Sequence, residues 1–154
     1  MNKLDICKLL PHAGTMCLID RVLLWDNEHL VAEAESHLQA ENPLRNSDSI
    51  SSIIGVEYAA QTMAVHAALV STKAKRKENN QADDFKQHKG YLATMRNIKV
   101  TADTLDTPGS TNVSPLIISV TLLMKDTQGY TYEFNITTDN DQLLSGKLTI
   151  FLIS

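Results

Sequence analysis

The chain has 154 residues, of which 43% are hydrophobic, and a net charge of −4 at pH 7. That length suits one compact domain with a substantial core, excludes disorder throughout, and with an acidic balance argues against a nucleic-acid or anionic-membrane surface. Cys7 and Cys17 match no metal-ligand spacing and no disulfide framework, and the first ten residues lack the apolar stretch and cleavage site of a signal peptide, so the expectation is a soluble, cytoplasmic, reduced protein.

Leu4 to Leu10 reads as one or two helical turns, stopped by Pro11, with Pro11-His12-Ala13-Gly14 as a loop. Met16 to Leu24 is a short apolar run suited to a buried strand. Asp26-Asn27 signals a turn. His29 to Leu38 then alternates, with Leu30, Ala32, Ala34, Ser36 and Leu38 on one face and His29, Val31, Glu33, Glu35 and His37 on the other. The two segments predict a hairpin. Gln39 to Ser49 is polar and irregular, and Ser47, Asp48 and Ser49 offer helix N-cap chemistry.

Ile50 to Lys73 follows, apolar or small on every helical face, which predicts a buried central helix rather than a surface one. Its length would suit a membrane span, but Glu57, Gln61 and His66 interrupt it. A carboxylate in such a helix is costly unless it is paired, hydrogen-bonded or kept neutral, so Glu57 is the first functional candidate. Glu78 to Gln87 predicts an exposed loop. Four alternating segments complete the chain: Gly90 to Thr101, Leu116 to Lys125, the Tyr130 to Ile136 strand, and Leu144 to Leu152, with Pro108-Gly109 in a loop and turns at Gln128-Gly129 and Asp139-Asn140-Asp141. A strand pair, one long helix and four further strands predict an α+β fold in which a curved antiparallel sheet wraps around the helix as a single domain, 1–154.

Leu9-Leu10-Pro11-His12-Ala13-Gly14-Thr15-Met16-Cys17-Leu18-Ile19-Asp20-Arg21-Val22 resembles the LPHRxPxLLxDRV opening of the 3-hydroxyacyl-acyl carrier protein dehydratases of fatty-acid synthesis. Gly55-Val56-Glu57-Tyr58-Ala59-Ala60-Gln61 resembles the ExxAQ of their central helix, and the whole stretch GVEYAAQTMAVHAAL is similar to the divergent dehydratase-like proteins of aryl-polyene gene clusters. The resemblance implies a hotdog fold and a dimer with its sites at the subunit interface. It implies a substrate held as a thioester on acyl carrier protein or coenzyme A. In that family a histidine removes the proton beside the thioester carbonyl, and a carboxylate from the partner subunit's central helix protonates the departing hydroxyl. Glu57 falls at the position of that carboxylate. The family's catalytic histidine, in GHFPG ahead of the helix, has no counterpart here. The matching stretch is Glu41-Asn42-Pro43-Leu44-Arg45-Asn46-Ser47-Asp48.

The candidate catalytic residues are therefore Glu57 as acid and His12 as provisional base, the latter set against a loop-fixing hydrogen bond as its plainer role. Gln61, one turn on from Glu57, and Arg96 are candidates for support or substrate contact. His37 is on the polar parity of its strand, which predicts exposure. His66 is on the far side of the helix from Glu57 and reads as a satisfied core or interface histidine. His29 and His88 read as surface residues, Asp20-Arg21 as an ion pair, and the basic run Lys73, Lys75, Arg76 and Lys77 as a solvated helix end, against docking of an acidic carrier protein. No metal-ligand cluster, phosphate loop or nucleotide fingerprint is present in the sequence, so no cofactor is expected. The expected assemblies are a homodimer, a higher homo-oligomer or a heterodimer with a dehydratase. The expected reactions are dehydration or, as alternatives, a non-catalytic partner role or acyl-thioester hydrolysis.

Overall fold

The computed structural model describes residues 1–11, 14–77, 89–106, 114–139 and 141–153. Helix α1 (Lys3–Leu9) is capped by Asn2, whose side chain accepts the Asp5 amide, and it ends before Pro11. Strands β1 (Arg21–Trp25) and β2 (His29–Ala34) form the expected hairpin, followed by the long helix α2 (Gly55–Lys77). Strands β3 (Lys89–Val100), β4 (Leu116–Lys125), β5 (Gly129–Thr138) and β6 (Asp141–Ile153) come next. All pairings are antiparallel, in one sheet ordered β1-β2-β4-β5-β6-β3.

The helix lies on the inner face of the sheet, against β2, β4 and β5. Leu30, Ala32, Ile118, Val120, Tyr132, Phe134 and Ile136 point from the strands into the core, as the alternation predicts, and Tyr58, Ala59, Met63 and Val65 meet them from α2. The helix is long and apolar enough to cross a membrane, but here that apolar surface is the core of the sheet. At its start Gly55 lets the backbone approach closely: an added Cβ would lie 3.0 Å from the methyls of both Ile136 and Leu144.

Four local expectations are corrected. The strand expected over Met16 to Leu24 begins at Arg21, and residues 17–19 are buried ahead of it without forming a strand. The strand expected to run to Leu38 ends at Ala34, and Ser36–Leu38 is a single 3-10 turn that carries His37 inward to 1% exposure instead of out to solvent. Ser47, Asp48 and Ser49 do not cap α2, because a further 3-10 turn, Ser52–Ile54, separates them from it. Cys7 and Cys17, expected as free thiols, form a disulfide that ties α1 to the segment after residue 14. The expected loops over Glu78 to Gln87 and around Pro108-Gly109, and His88, lie outside the described residues.

At Gly129 the sheet admits no side chain. An added Cβ would run into the backbone carbonyl of Ile150, which no rotamer change can move aside. Gly14, by contrast, has a φ of +60 and nothing within 4 Å of a built Cβ. Gly129→Ala should therefore lower the urea unfolding free energy by ~2 kcal/mol or more. Gly14→Ala should lose only about 1 kcal/mol of left-handed backbone preference. Equal losses in the two variants would contradict this account.

Candidate active site

Glu57 occupies the first turn of α2 and is half-buried. Gln61, one turn later and 1% exposed, donates from Nε2 to Glu57 Oε1 at 3.0 Å. The same Nε2 donates to the Met16 carbonyl at 2.8 Å, and Oε1 accepts the Leu18 amide at 2.9 Å. An amide N–H can only donate, so the Leu18 bond sets the orientation of the Gln61 amide, and its NH2 must face Glu57. The buried Leu18 amide thus pairs with a side chain of the helix instead of a strand, while the Asp20 amide already reaches the Glu33 carbonyl of β2. Cys17 lies between the two residues that Gln61 holds, so the disulfide anchors α1 at the same place.

Tyr58, the neighbour of Glu57, is fully buried, and its hydroxyl meets Ser36 Oγ at 2.9 Å and Asn42 Nδ2 at 3.0 Å. Asn42 Nδ2 also donates to the Ser36 carbonyl, and its Oδ1 accepts the Leu44 amide. Arg45 Nη1 pairs with Asp106 Oδ2 at 2.7 Å, while its other bonds go to the carbonyls of His37, Gln39 and Asp48. Asp106 Oδ1 in turn accepts the Ile50 amide. The stretch that stands where the resembled family carries its histidine is thus a structural loop, with Asn42 and Arg45 occupied by the chain's own backbone.

Of the predicted site residues, the structure joins Glu57 to Gln61. Arg96 does not join them: it is in register with Lys147 on β6, next to Met95, which is in register with the buried Leu148. Successive strand residues alternate faces, so Arg96 is on the outer face and α2 on the inner. His12 lies outside the described residues. His66 is a satisfied core histidine, as expected. Its Nε2 donates to the Asp26 carbonyl at 3.0 Å, and its Nδ1 accepts from the Tyr132 hydroxyl at 2.8 Å. His29 is at the surface, beside Asp26. Lys73, at the exposed end of α2, bonds Asn27 and sits over the Trp25 ring, so one cation of the basic run closes the hairpin turn onto the helix. Asp20 pairs with Lys3 at 2.7 Å and Arg21 with Glu33, so the expected Asp20-Arg21 pair is replaced by two separate ones. Sequence reasoning missed Tyr58, Asn42, Ser36 and the Arg45–Asp106 pair. Each is an ordinary polar residue whose partner is distant in sequence. Among the described residues no cluster of His, Cys, Asp and Glu could hold a metal ion.

This fold and its known likenesses define a class. The chain is 10% identical to a mutant thioesterase of Pseudomonas aeruginosa, over 99% of this chain and 94% of that one, with a TM-score of 0.63. It is 10% identical to a thioesterase of Haemophilus influenzae, over 100% and 92%, also at 0.63. It is 23% identical to a chain of the dehydratase heterocomplex ApeI:P from Xenorhabdus doucetiae, over 97% and 91%, with a TM-score of 0.73. It is a hotdog-fold protein. More narrowly, it belongs to the ApeP-like family, described as ApeP dehydratase, whose model matches residues 4–153. No curated protein sequence matches it.

His37 gives the site region a pH dependence. Burial lowers its pKa from 6.5 to about 4, against the opposing pull of Asp106, a hydrogen bond to the Ser114 backbone and Asp20, and with help from Arg45. Its Nδ1 is buried without a hydrogen-bond partner. The folded state therefore keeps His37 neutral where the unfolded chain would protonate it. Stability is full above the unfolded value, falls as the pH drops from 6.5 towards about 4, and levels off for this group below that. Burial lowers the pKa of His66 too, which adds the same sign. Across that window the wild type should lose up to about 3 kcal/mol through His37. His37→Gln should show a shallower pH slope in urea titrations, and parallel slopes would refute the assignment.

Proposed function

We propose that this chain is a dehydratase-type subunit acting on 3-hydroxyacyl thioesters of acyl carrier protein or coenzyme A, with Glu57 as the acid and His12 as the base. The Gln61 amide carries this reading. One NH2 group binds both the Glu57 carboxylate and the Met16 carbonyl, and His12 is four residues before Met16 in the chain. A short loop can bridge that separation. His12 would take the proton from the carbon beside the thioester carbonyl. That bonding pair becomes the new C=C bond as the 3-hydroxyl leaves, protonated by Glu57, as water. The product is the trans-2-enoyl thioester. Glu57 Oε1 accepts from Gln61, and that bond orients the carboxyl that would deliver the proton.

A second subunit fits the shape that α2 leaves open. The helix covers β2, β4 and β5, while Leu92, Met95 and Val100 remain about half exposed on β3, an outer strand of the sheet. A long edge strand with apolar side chains is a template for pairing. The likeness to a dehydratase heterocomplex favours a hotdog subunit as the occupant, either a second copy or a dehydratase partner. The family and the sequence resemblance together support a place in fatty-acid or aryl-polyene biosynthesis, with no cofactor needed for the chemistry.

The test is the appearance of enoyl thioester absorbance from a 3-hydroxyacyl carrier-protein substrate, with the chain alone and then with a hotdog dehydratase subunit. Glu57→Gln and His12→Asn should each reduce turnover by at least about 100-fold, the scale of losing a general acid or base. Unchanged turnover in either variant removes that residue from the mechanism. Free thiol release without enoyl product would make the chain a thioesterase. Turnover that needs His12 of this chain would exclude a purely structural partner role.

A further inference from the structure

The polar groups around Tyr58 form a directed chain that ends on the candidate acid. Asn42 Nδ2 donates to the Tyr58 hydroxyl. Ser36 Oγ donates to the Leu18 carbonyl at 2.8 Å, so its own lone pair is left to accept from Tyr58, whose hydroxyl proton points to Ser36. Leu18 then donates its amide to Gln61 Oε1, and Gln61 donates to Glu57 Oε1. Glu57 and Tyr58 are adjacent on α2, so the circuit closes through the helix backbone. Tyr58 and Gln61 are both at most 1% exposed, as Ser36 is at 3% and Asn42 at 6%. No water is needed to close the path, because each link is a direct bond within 3.0 Å.

We infer that Tyr58 is a positioning residue for Glu57, acting at a distance through Ser36, the Leu18 backbone and Gln61. The inference deepens the dehydratase reading and rests on it for its kinetic arm. Tyr58 does not touch substrate, since it is wholly buried. Its hydroxyl holds Ser36, Ser36 holds the Leu18 carbonyl, and the Leu18 amide, in the peptide on the other side of the same Cα, sets where the Gln61 amide and hence the Glu57 carboxyl point. Deleting the hydroxyl leaves Ser36 with one anchor instead of two. The nearest strand bond is at Asp20, two residues on, so the looseness at Leu18 passes to Gln61. Buried polar networks of this kind act as units, and the loss of one member is felt by the others.

The experiment compares Tyr58→Phe with Thr62→Val. Thr62 carries another fully buried hydroxyl on α2, but that group bonds the Tyr58 carbonyl and stands outside the circuit. Both variants should lose some global stability. In Tyr58→Phe, hydrogen exchange at the Leu18 amide and the Gln61 side-chain amide should quicken by about ten-fold beyond the Thr62→Val control, the scale of one buried hydrogen bond. Turnover should fall with KM unchanged, and Tyr58→Phe should add nothing in a Glu57→Gln background. Ser36→Ala should reproduce the exchange result, which keeps the test available if Tyr58→Phe folds poorly. Leu18 exchange that matches the control in both variants would overturn the proposal. A wild type with no dehydratase turnover, alone or with a partner, would defeat the reaction reading. The exchange data would still decide whether Tyr58 positions Glu57.

Discussion

The Gln61 side chain is the constraint on which the site depends. A carboxamide in the middle of an apolar helix would be costly if its four hydrogen-bonding positions were unmet. Here three of them are met, two by backbone groups of the segment before β1 and one by a carboxylate. Leu18 donates to it, and Met16 and Glu57 accept from it. The helix therefore gains a satisfied buried polar group, and the segment before β1 gains the partner that a strand neighbour would have supplied. Neither piece is complete alone. The disulfide between Cys7 and Cys17 falls in the same segment, so α1, the segment and α2 meet at one point.

A second hub fixes the loop ahead of α2. The Arg45–Asp106 pair is largely buried, and a buried pair stabilises only when its remaining hydrogen-bonding positions are filled. They are filled by the carbonyls of His37, Gln39 and Asp48 and by the Ile50 amide, so the pair works as a clamp on the loop that leads into α2. The contrast with the resembled dehydratases follows from this. Their corresponding stretch presents a histidine, whereas this one directs its polar side chains at its own backbone.

The fold was legible because it rests on periodicity. Alternation in Leu116 to Lys125 and Tyr130 to Ile136 located β4 and β5, and the all-round apolar character of α2 announced a helix enclosed by a sheet. Alternation failed where a non-repeating interaction took over. His37 kept the strand parity in sequence, but the chain had already turned into a 3-10 helix, and burial of the ring followed. Met16 to Leu24 looked like a strand because burial, not pairing, determines its composition. Glu57 and Gln61 could be read from their helical spacing, which is local. Tyr58, Ser36 and Asn42 could not, since their contacts join residues 16 to 22 positions apart and nothing in their local context marks them. The two cysteines failed for a related reason: ten residues apart, they meet only because α1 folds back on the segment that Gln61 anchors.

The same scaffold appears in thioesterases and in a dehydratase complex, so the fold does not choose the reaction. Both reactions need a carboxylate near a thioester, but they ask different things of it. Hydrolysis needs water at the carbonyl carbon. Elimination needs a proton delivered to an oxygen two carbons further along, and water excluded from the carbonyl. Accuracy of direction therefore matters more for elimination, and a carboxyl with one oxygen committed to a fixed donor has its other oxygen aimed by default. The bond from Gln61 commits Glu57 Oε1 in this way, and a buried circuit through Tyr58 stands behind that bond. An acid that must reach one departing hydroxyl gains from each fixed link, and the proposed elimination rests on that gain.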